Sequence, residues 1–226
     1  MGEVIGEILP LAIGVAVSVV PIIAVILMLF TDRAKSNSVA FLGGWLFGLI
    51  AVGAIALAVA NASGASDDAS EPKTGVGILK LLLGLGLLAL AYRNWRNRPA
   101  DSSEAETPKW MESLDAFGAG KSAGLAAVLS GVNPKNLALT VSAAATIAAS
   151  GLDTGEQIGA LAVFIAIASV TVAAPVLTYL VVGKKADNAL DSAKVWLITH
   201  NNAIMAVLFL VFGVKLLGDG IAILTS

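Results

Sequence analysis

The sequence predicts an all-α integral membrane protein of six transmembrane helices, arranged as two inverted three-helix repeats. Three observations carry that expectation. Hydrophobic residues make up 57% of the 226 positions and charged residues only 13%, against roughly 25% charged in soluble domains. Six apolar stretches approach the roughly 20 residues that a helix needs to cross hydrocarbon, where backbone groups find no water and must bond within their own segment. Finally, lysine and arginine alternate loop by loop.

The stretches run over about 8–30, 39–60, 76–92, 122–149, 158–182 and 203–224, separated by polar breaks at 31–38, 61–74, 93–121, 150–157 and 183–202. The first, third and fifth breaks hold Arg33, Lys35, Arg93, Arg96, Arg98, Lys109, Lys121, Lys184, Lys185 and Lys194, whereas the second holds only Lys73 and the fourth none. Because basic loops stay in the cytoplasm, the expected product is a multi-pass plasma-membrane protein with both termini extracytoplasmic. Glu3 and Glu7 carry the wrong sign for a signal-peptide n-region, and the first apolar run is too long for an h-region.

The organisation follows as a first three-helix repeat over 1–92, a cytoplasmic loop with an interfacial helix over 93–121, and a second three-helix repeat over 122–226. In that loop Thr107-Pro108 is a helix start, and Trp110, Met111, Leu114 and Phe117 recur at helical spacing. Trp95, Trp110 and Trp196 stand at the expected inner boundaries, where an amphipathic ring is favoured at headgroup level. An odd number of spans per half turns the second repeat upside down, the architecture of many secondary transporters.

Several chemistries are excluded. Without cysteine there is no thiolate nucleophile or cysteine metal site, and His200 alone cannot build a metal site, so no cofactor or metal is expected. A net charge of −2 and no clustered basic surface argue against nucleic acid. Gly118-Ala119-Gly120-Lys121-Ser122 imitates the end of a phosphate loop, but Asp115 stands where the pattern requires glycine, so no ATPase is expected. Asp219 is the only acid in an expected span, which leaves no basis for an enzyme.

What remains points to transport. The opening span of each half is interrupted by a proline, at Val20-Pro21 and at Asn133-Pro134; paired interruptions of this kind mark transport sites, and the alternative reading is two ordinary membrane kinks. The second interruption sits in Asn133-Pro134-Lys135-Asn136, two amides and a cation inside an apolar run. A lysine there costs roughly 2.5–3.5 kcal/mol on insertion scales. A half-helix beginning at Pro134 would direct its N-terminal dipole at an anionic group, with Lys135 adding a full charge; alternatively Lys135 snorkels or forms a structural ion pair. Lys215 and Asp219, at i and i+4, form a second polar pair, read either as the facing wall of the path or as a structural ion pair. Ser18 and Thr171 line a path or back-bond to the preceding turn. Gly44 and Gly48, with Gly84, Gly86, Gly213, Gly218 and Gly220, are expected to let helices approach closely; such faces permit homo-oligomers and serve internal packing equally well.

Phe41-Leu42-Gly43-Gly44-Trp45, Trp95-Arg96-Asn97-Arg98-Pro99, Pro108-Lys109-Trp110-Met111, Asn133-Pro134-Lys135-Asn136 and Lys215-Leu216-Leu217-Gly218-Asp219-Gly220 occur in this order. Together they resemble the actinobacterial GAP family of glycopeptidolipid- and sulfolipid-addressing proteins, over almost the whole chain. More distantly, the spans and the Asn-Pro-Lys element look like the lysine-exporter superfamily. The resemblance implies export of a cell-envelope glycolipid or peptidoglycolipid, with membrane lipids and a larger lipid-export machinery as partners. The alternatives are efflux of an amino acid or cation, as the distant superfamily implies, and a non-transporting accessory of a lipid-export machine.

Overall fold

The computed structural model describes residues 1–62, 74–98 and 117–225, and among them it is helical throughout, with no strand. The helices are α1 (Gly2–Ala16), α2 (Val19–Leu29), α3 (Ala34–Ala62), α4 (Thr74–Arg96), α5 (Ala119–Gly131), α6 (Pro134–Ala148), α7 (Thr154–Val182) and α8 (Asp187–Thr225), with a 3-10 turn at Gly183–Ala186. Three of them, α3, α7 and α8, are each long and apolar enough to cross a membrane. The pair α1 and α2, bent by 52° at their junction, makes a fourth span if counted as one. At 13 and 15 residues, α5 and α6 are each short of the roughly 20 needed alone.

Local chemistry sets several of these ends. Asp153 caps α7, its side chain accepting from Glu156 N at 2.9 Å. The same helix stops at Gly183, whose φ of 65° lies in the left-handed region that glycine enters without strain. After this stop the chain does not remain a loop to residue 202, as polarity alone predicts; α8 begins at Asp187. Asp187 stands in the first turn, where the helix dipole favours an acid, and Asp191 pairs with Lys194 at 2.6 Å one turn along.

The chain divides into two compact units, Met1–Ser66 with Thr107–Lys194, and Asp67–Glu106 with Val195–Ser226. In the first, Phe41, Trp45, Leu49, Phe164, Ile147 and Val172 are fully buried. Its tightest seam is between α3 and α5. A Cβ on Gly44 would fall onto the Ala123 carbonyl, and one on Gly48 onto the Ser130 hydroxyl, so only glycine allows this approach. In the second unit Gly84 and Gly213 face each other across α4 and α8: a Cβ on either would come within 3.0 or 3.1 Å of the other's carbonyl oxygen. Close packing is thus the role of these four glycines, whereas Gly86 and Gly218 face open space.

Trp95 and Trp196, both in the second unit, are about half exposed. Arg98 lies 4.1 Å over the Trp95 ring, and His200 stacks on Trp196 at 4.7 Å. Trp110 and the expected interfacial helix lie outside the described residues except for Phe117, whose carbonyl accepts from Asn37 Nδ2 at 2.9 Å.

Candidate functional site

A helix that ends inside an apolar bundle leaves its last carbonyls without N–H partners, and in such surroundings each must find another donor. The end of α1 shows where they go. Ile13 O takes the Val17 N–H at 2.9 Å. Gly14 O accepts from Lys135 Nζ at 2.8 Å, and Val17 O lies 3.4 Å from the same ammonium. Val15 O accepts from the Ser18 hydroxyl at 2.7 Å, and Ala16 O from the Thr171 hydroxyl at 2.5 Å. Every one of these acceptors is served, mostly by side chains reaching in from α6 and α7.

The break itself lies at Val17-Ser18, upstream of the Val20-Pro21 position that the sequence indicates. Pro21 occupies the third position of α2, where a helix tolerates a missing N–H because none is needed in the first turn. Val17 O, at the break, belongs to neither helix's ladder, and Lys135 lies beside it; Pro21 is compatible with a helix that restarts here because its missing N–H is not needed.

The second break falls where the sequence places it. Asn133 caps α6, its Oδ1 accepting from Lys135 N at 3.0 Å, and Pro134 takes the first helical position, where its fixed φ suits a start. Side chains of a helix lean toward its N-terminus, so Lys135 and Asn136, in the first turn, reach back to the two breaks. Asn136 is fully buried and ties them together: Nδ2 donates to Leu129 O at 2.9 Å, near the end of α5, while Oδ1 lies 3.0 Å from the Ser18 hydroxyl of the α1–α2 break. Ser18 has one proton for two acceptors, Val15 O and Asn136 Oδ1, so its hydroxyl can switch between them.

The electrostatics are specific. An ammonium at the start of its own helix sits at the unfavourable pole, and the carbonyl end of α1 supplies the opposite one. Those carbonyls solvate the charge but do not neutralise it. Among the described residues no carboxylate pairs with Lys135. One turn along α6 from Asn136, the buried Thr140 hydroxyl has no partner among the described residues, and neither has that of Ser169 on α7. Polar capacity therefore continues into the bundle beyond the junction.

Two apolar grooves flank α3. One, of about 440 Å³, runs between α3 and α7 past Ile50, Leu57, Leu161 and Ile165 and is bounded by the Asn61–Gln157 hydrogen bond of 2.8 Å. The other, of about 420 Å³, runs between α3 and α6 past Val52, Ile55, Val59, Leu137 and Val141.

Of the sequence-derived candidates, Asn133, Pro134, Lys135 and Asn136 meet the α1–α2 break in the first unit, and Pro21 stands beyond that break in the first turn of α2. Lys215 and Asp219 belong to the second unit, where they form an ion pair of 3.0 Å with side chains 48% and 36% exposed. Sequence reasoning missed the carbonyls of Gly14, Ala16 and Val17, because a backbone acceptor leaves no mark in residue type. It weighed Ser18 and Thr171 without pairing them; Ser18 both back-bonds and crosses to Asn136, and Thr171 crosses to α1.

Thr171→Val removes the donor to Ala16 O while keeping side-chain volume. Interhelical hydrogen bonds in membranes average about 0.6 kcal/mol and reach about 1.7. A modest fall in thermal midpoint, with no loss of folded yield, is expected in a melt of the detergent-solubilised variant.

No curated protein and no solved structure matches the chain. The family model described as Sap, sulfolipid-1-addressing protein, matches residues 8–222, and so takes in both broken helix pairs, the Asn-Pro-Lys junction and the Lys215–Asp219 pair. With the match running over nearly the whole chain, this membrane protein belongs to the Sap, sulfolipid-1-addressing protein, family.

Proposed function

We propose that the protein exports a polar envelope lipid, a glycolipid or peptidoglycolipid, across the plasma membrane, as a secondary-transporter-like carrier without an ATPase of its own. The observation that carries this reading is the ammonium of Lys135, held by neutral carbonyls where two broken helices meet and lacking a carboxylate partner among the described residues. A charge in that position attracts a polar or anionic headgroup, which would displace the carbonyls and loosen the contact between α1 and α6. The apolar grooves beside α3 suit acyl tails that stay in hydrocarbon while the headgroup passes. A polar pocket of about 360 Å³ after α2, lined by Thr31, Asp32, Lys35, Tyr179 and Asp187, suits a headgroup entering from the side that the basic loops assign to the cytoplasm.

In this reading α4 and the α5–α6 pair complete six spans, the two three-helix halves are inverted repeats that rock against each other, and both termini lie outside. The family's description supports a lipid cargo. No catalytic step is assigned to the chain, and coupling comes from an ion gradient or a partner.

The test is surface-exposed against whole-cell lipid composition in a deletion strain of the native host, complemented with wild type or Lys135→Ala. The expected result is a polar lipid that is lost from the surface, accumulates inside, and is restored by wild type alone. Full restoration by Lys135→Ala would instead favour an accessory role in a lipid-export machine. An unchanged lipid distribution would redirect the search to small-solute efflux, for which resistance to a panel of amino acids and cations is the assay.

A further inference from the structure

We infer that the junction of the two broken helices is a monovalent-cation site whose occupant is built into the chain, the ammonium of Lys135. The atoms that meet this ammonium are backbone carbonyl oxygens, Gly14 O at 2.8 Å and Val17 O at 3.4 Å, at the negative end of α1. Bordering the same break are the Ser18 hydroxyl and, hydrogen-bonded to it, Asn136 Oδ1. Neutral backbone carbonyl oxygens can replace the hydration shell of an alkali cation, and hydroxyl and amide oxygens are hard neutral donors of the same kind. In transporters with interrupted helices, unwound carbonyls and half-helix C-termini are what coordinate sodium.

Two features distinguish this junction from an ordinary capped helix end. The break leaves Val17 O outside both helices without an intrahelical donor, and Pro21, in the first turn of α2, has no N–H that could reach back to it. The donor that arrives is a full charge, brought from a residue more than a hundred positions away, where a neutral hydroxyl such as that of Thr171 serves the neighbouring Ala16 O. The consequence is that wild-type protein needs no dissolved cation here, because its resident charge is tethered to the chain. This holds whether the cargo is a lipid or a small solute.

The experiment removes the tethered charge and offers a free one. Wild type, Lys135→Met and Lys135→Cys are expressed and purified in sodium chloride, then melted across a sodium chloride series balanced with choline chloride to constant ionic strength. The wild-type midpoint should stay flat. Those of the two neutral variants should fall in choline and climb with sodium along a saturating curve, as for any ligand that binds only the folded state. The chain contains no cysteine, so Lys135→Cys introduces a unique thiol. Reaction of that thiol with 2-aminoethyl methanethiosulfonate, which forms a mixed disulfide and releases methanesulfinate, should restore an ammonium and abolish the sodium response, whereas the neutral methyl reagent should not. Neutral variants with no sodium dependence overturn the inference, and so does a saturable sodium response in wild type. Failure of both neutral variants to accumulate even in sodium also overturns it, because sodium would then be unable to stand in for the ammonium. None of these readouts involves export, so the lipid assay can fail or succeed independently.

Discussion

Gly44→Leu is expected to prevent accumulation of folded protein. A Cβ at this position would meet the Ala123 carbonyl and lie 2.8 Å from the Ala123 Cα, so the obstacle is backbone, which cannot rotate aside. Overpacking a core costs about 1–3 kcal/mol when side chains can yield, and more when a helix must move. Here α3 and α5 would have to separate along a seam that continues at Gly48, where an added Cβ would come 2.8 Å from Ala127 O. Gly43→Leu is the control, since nothing lies within 4 Å of a Cβ there. Size-exclusion chromatography of fluorescently tagged protein should give a monodisperse peak for Gly43→Leu and aggregate, or nothing, for Gly44→Leu. Equal yields from the two would mean that α3 and α5 do not meet as described.

Asn136→Leu is expected to fold, with reduced stability, and to abolish export. The side chain is fully buried and close in shape to leucine, so little steric cost arises. What is lost is the donor to Leu129 O and the acceptor for Ser18. Buried groups left unsatisfied cost about 1–3 kcal/mol each in soluble proteins, yet couplings across membrane helices average only about 0.6 kcal/mol. The lower figure applies, because the unfolded segment in lipid also finds partners. A double-mutant cycle with Ser18→Ala should therefore give a coupling of about 0.6–1.7 kcal/mol in thermal or denaturant unfolding. In the proposed function export, unlike stability, depends on both breaks keeping their relation, since Asn136 is the side chain that touches both. Surface lipid at wild-type level in cells producing normal amounts of Asn136→Leu would show that the junction is not on the transport path.

Legibility in the sequence followed the kind of force involved. The start of α6 was readable because Asn133, Pro134 and the following turn form a local signal: a capping side chain and a ring with the right φ. The first break was readable only approximately. Proline announces that a carbonyl is freed, but where the helix actually stops depends on which donors arrive from elsewhere, and these placed the stop at Val17-Ser18. The first turns of α8 were hidden for a different reason. Polarity between apolar stretches reads as a loop, whereas an acid in the first turn, Asp187, and the Asp191–Lys194 pair are equally compatible with a helix.

By itself the sequence determined that this is a helical membrane protein, because sustained apolar runs have helix as the economical way to satisfy their backbone in lipid. It also determined that the polar features inside those runs concentrate at Asn133–Asn136, and it carried enough ordered motifs to indicate the family. Only the tertiary structure decided what these features meet. Periodicity and composition describe each segment alone, whereas the partners of Lys135 and Asn136 are backbone carbonyls and one hydroxyl, some of them more than a hundred residues away. Carbonyls are common to every residue and become distinctive only when a helix end leaves them unpaired, and that is settled by which helices pack together.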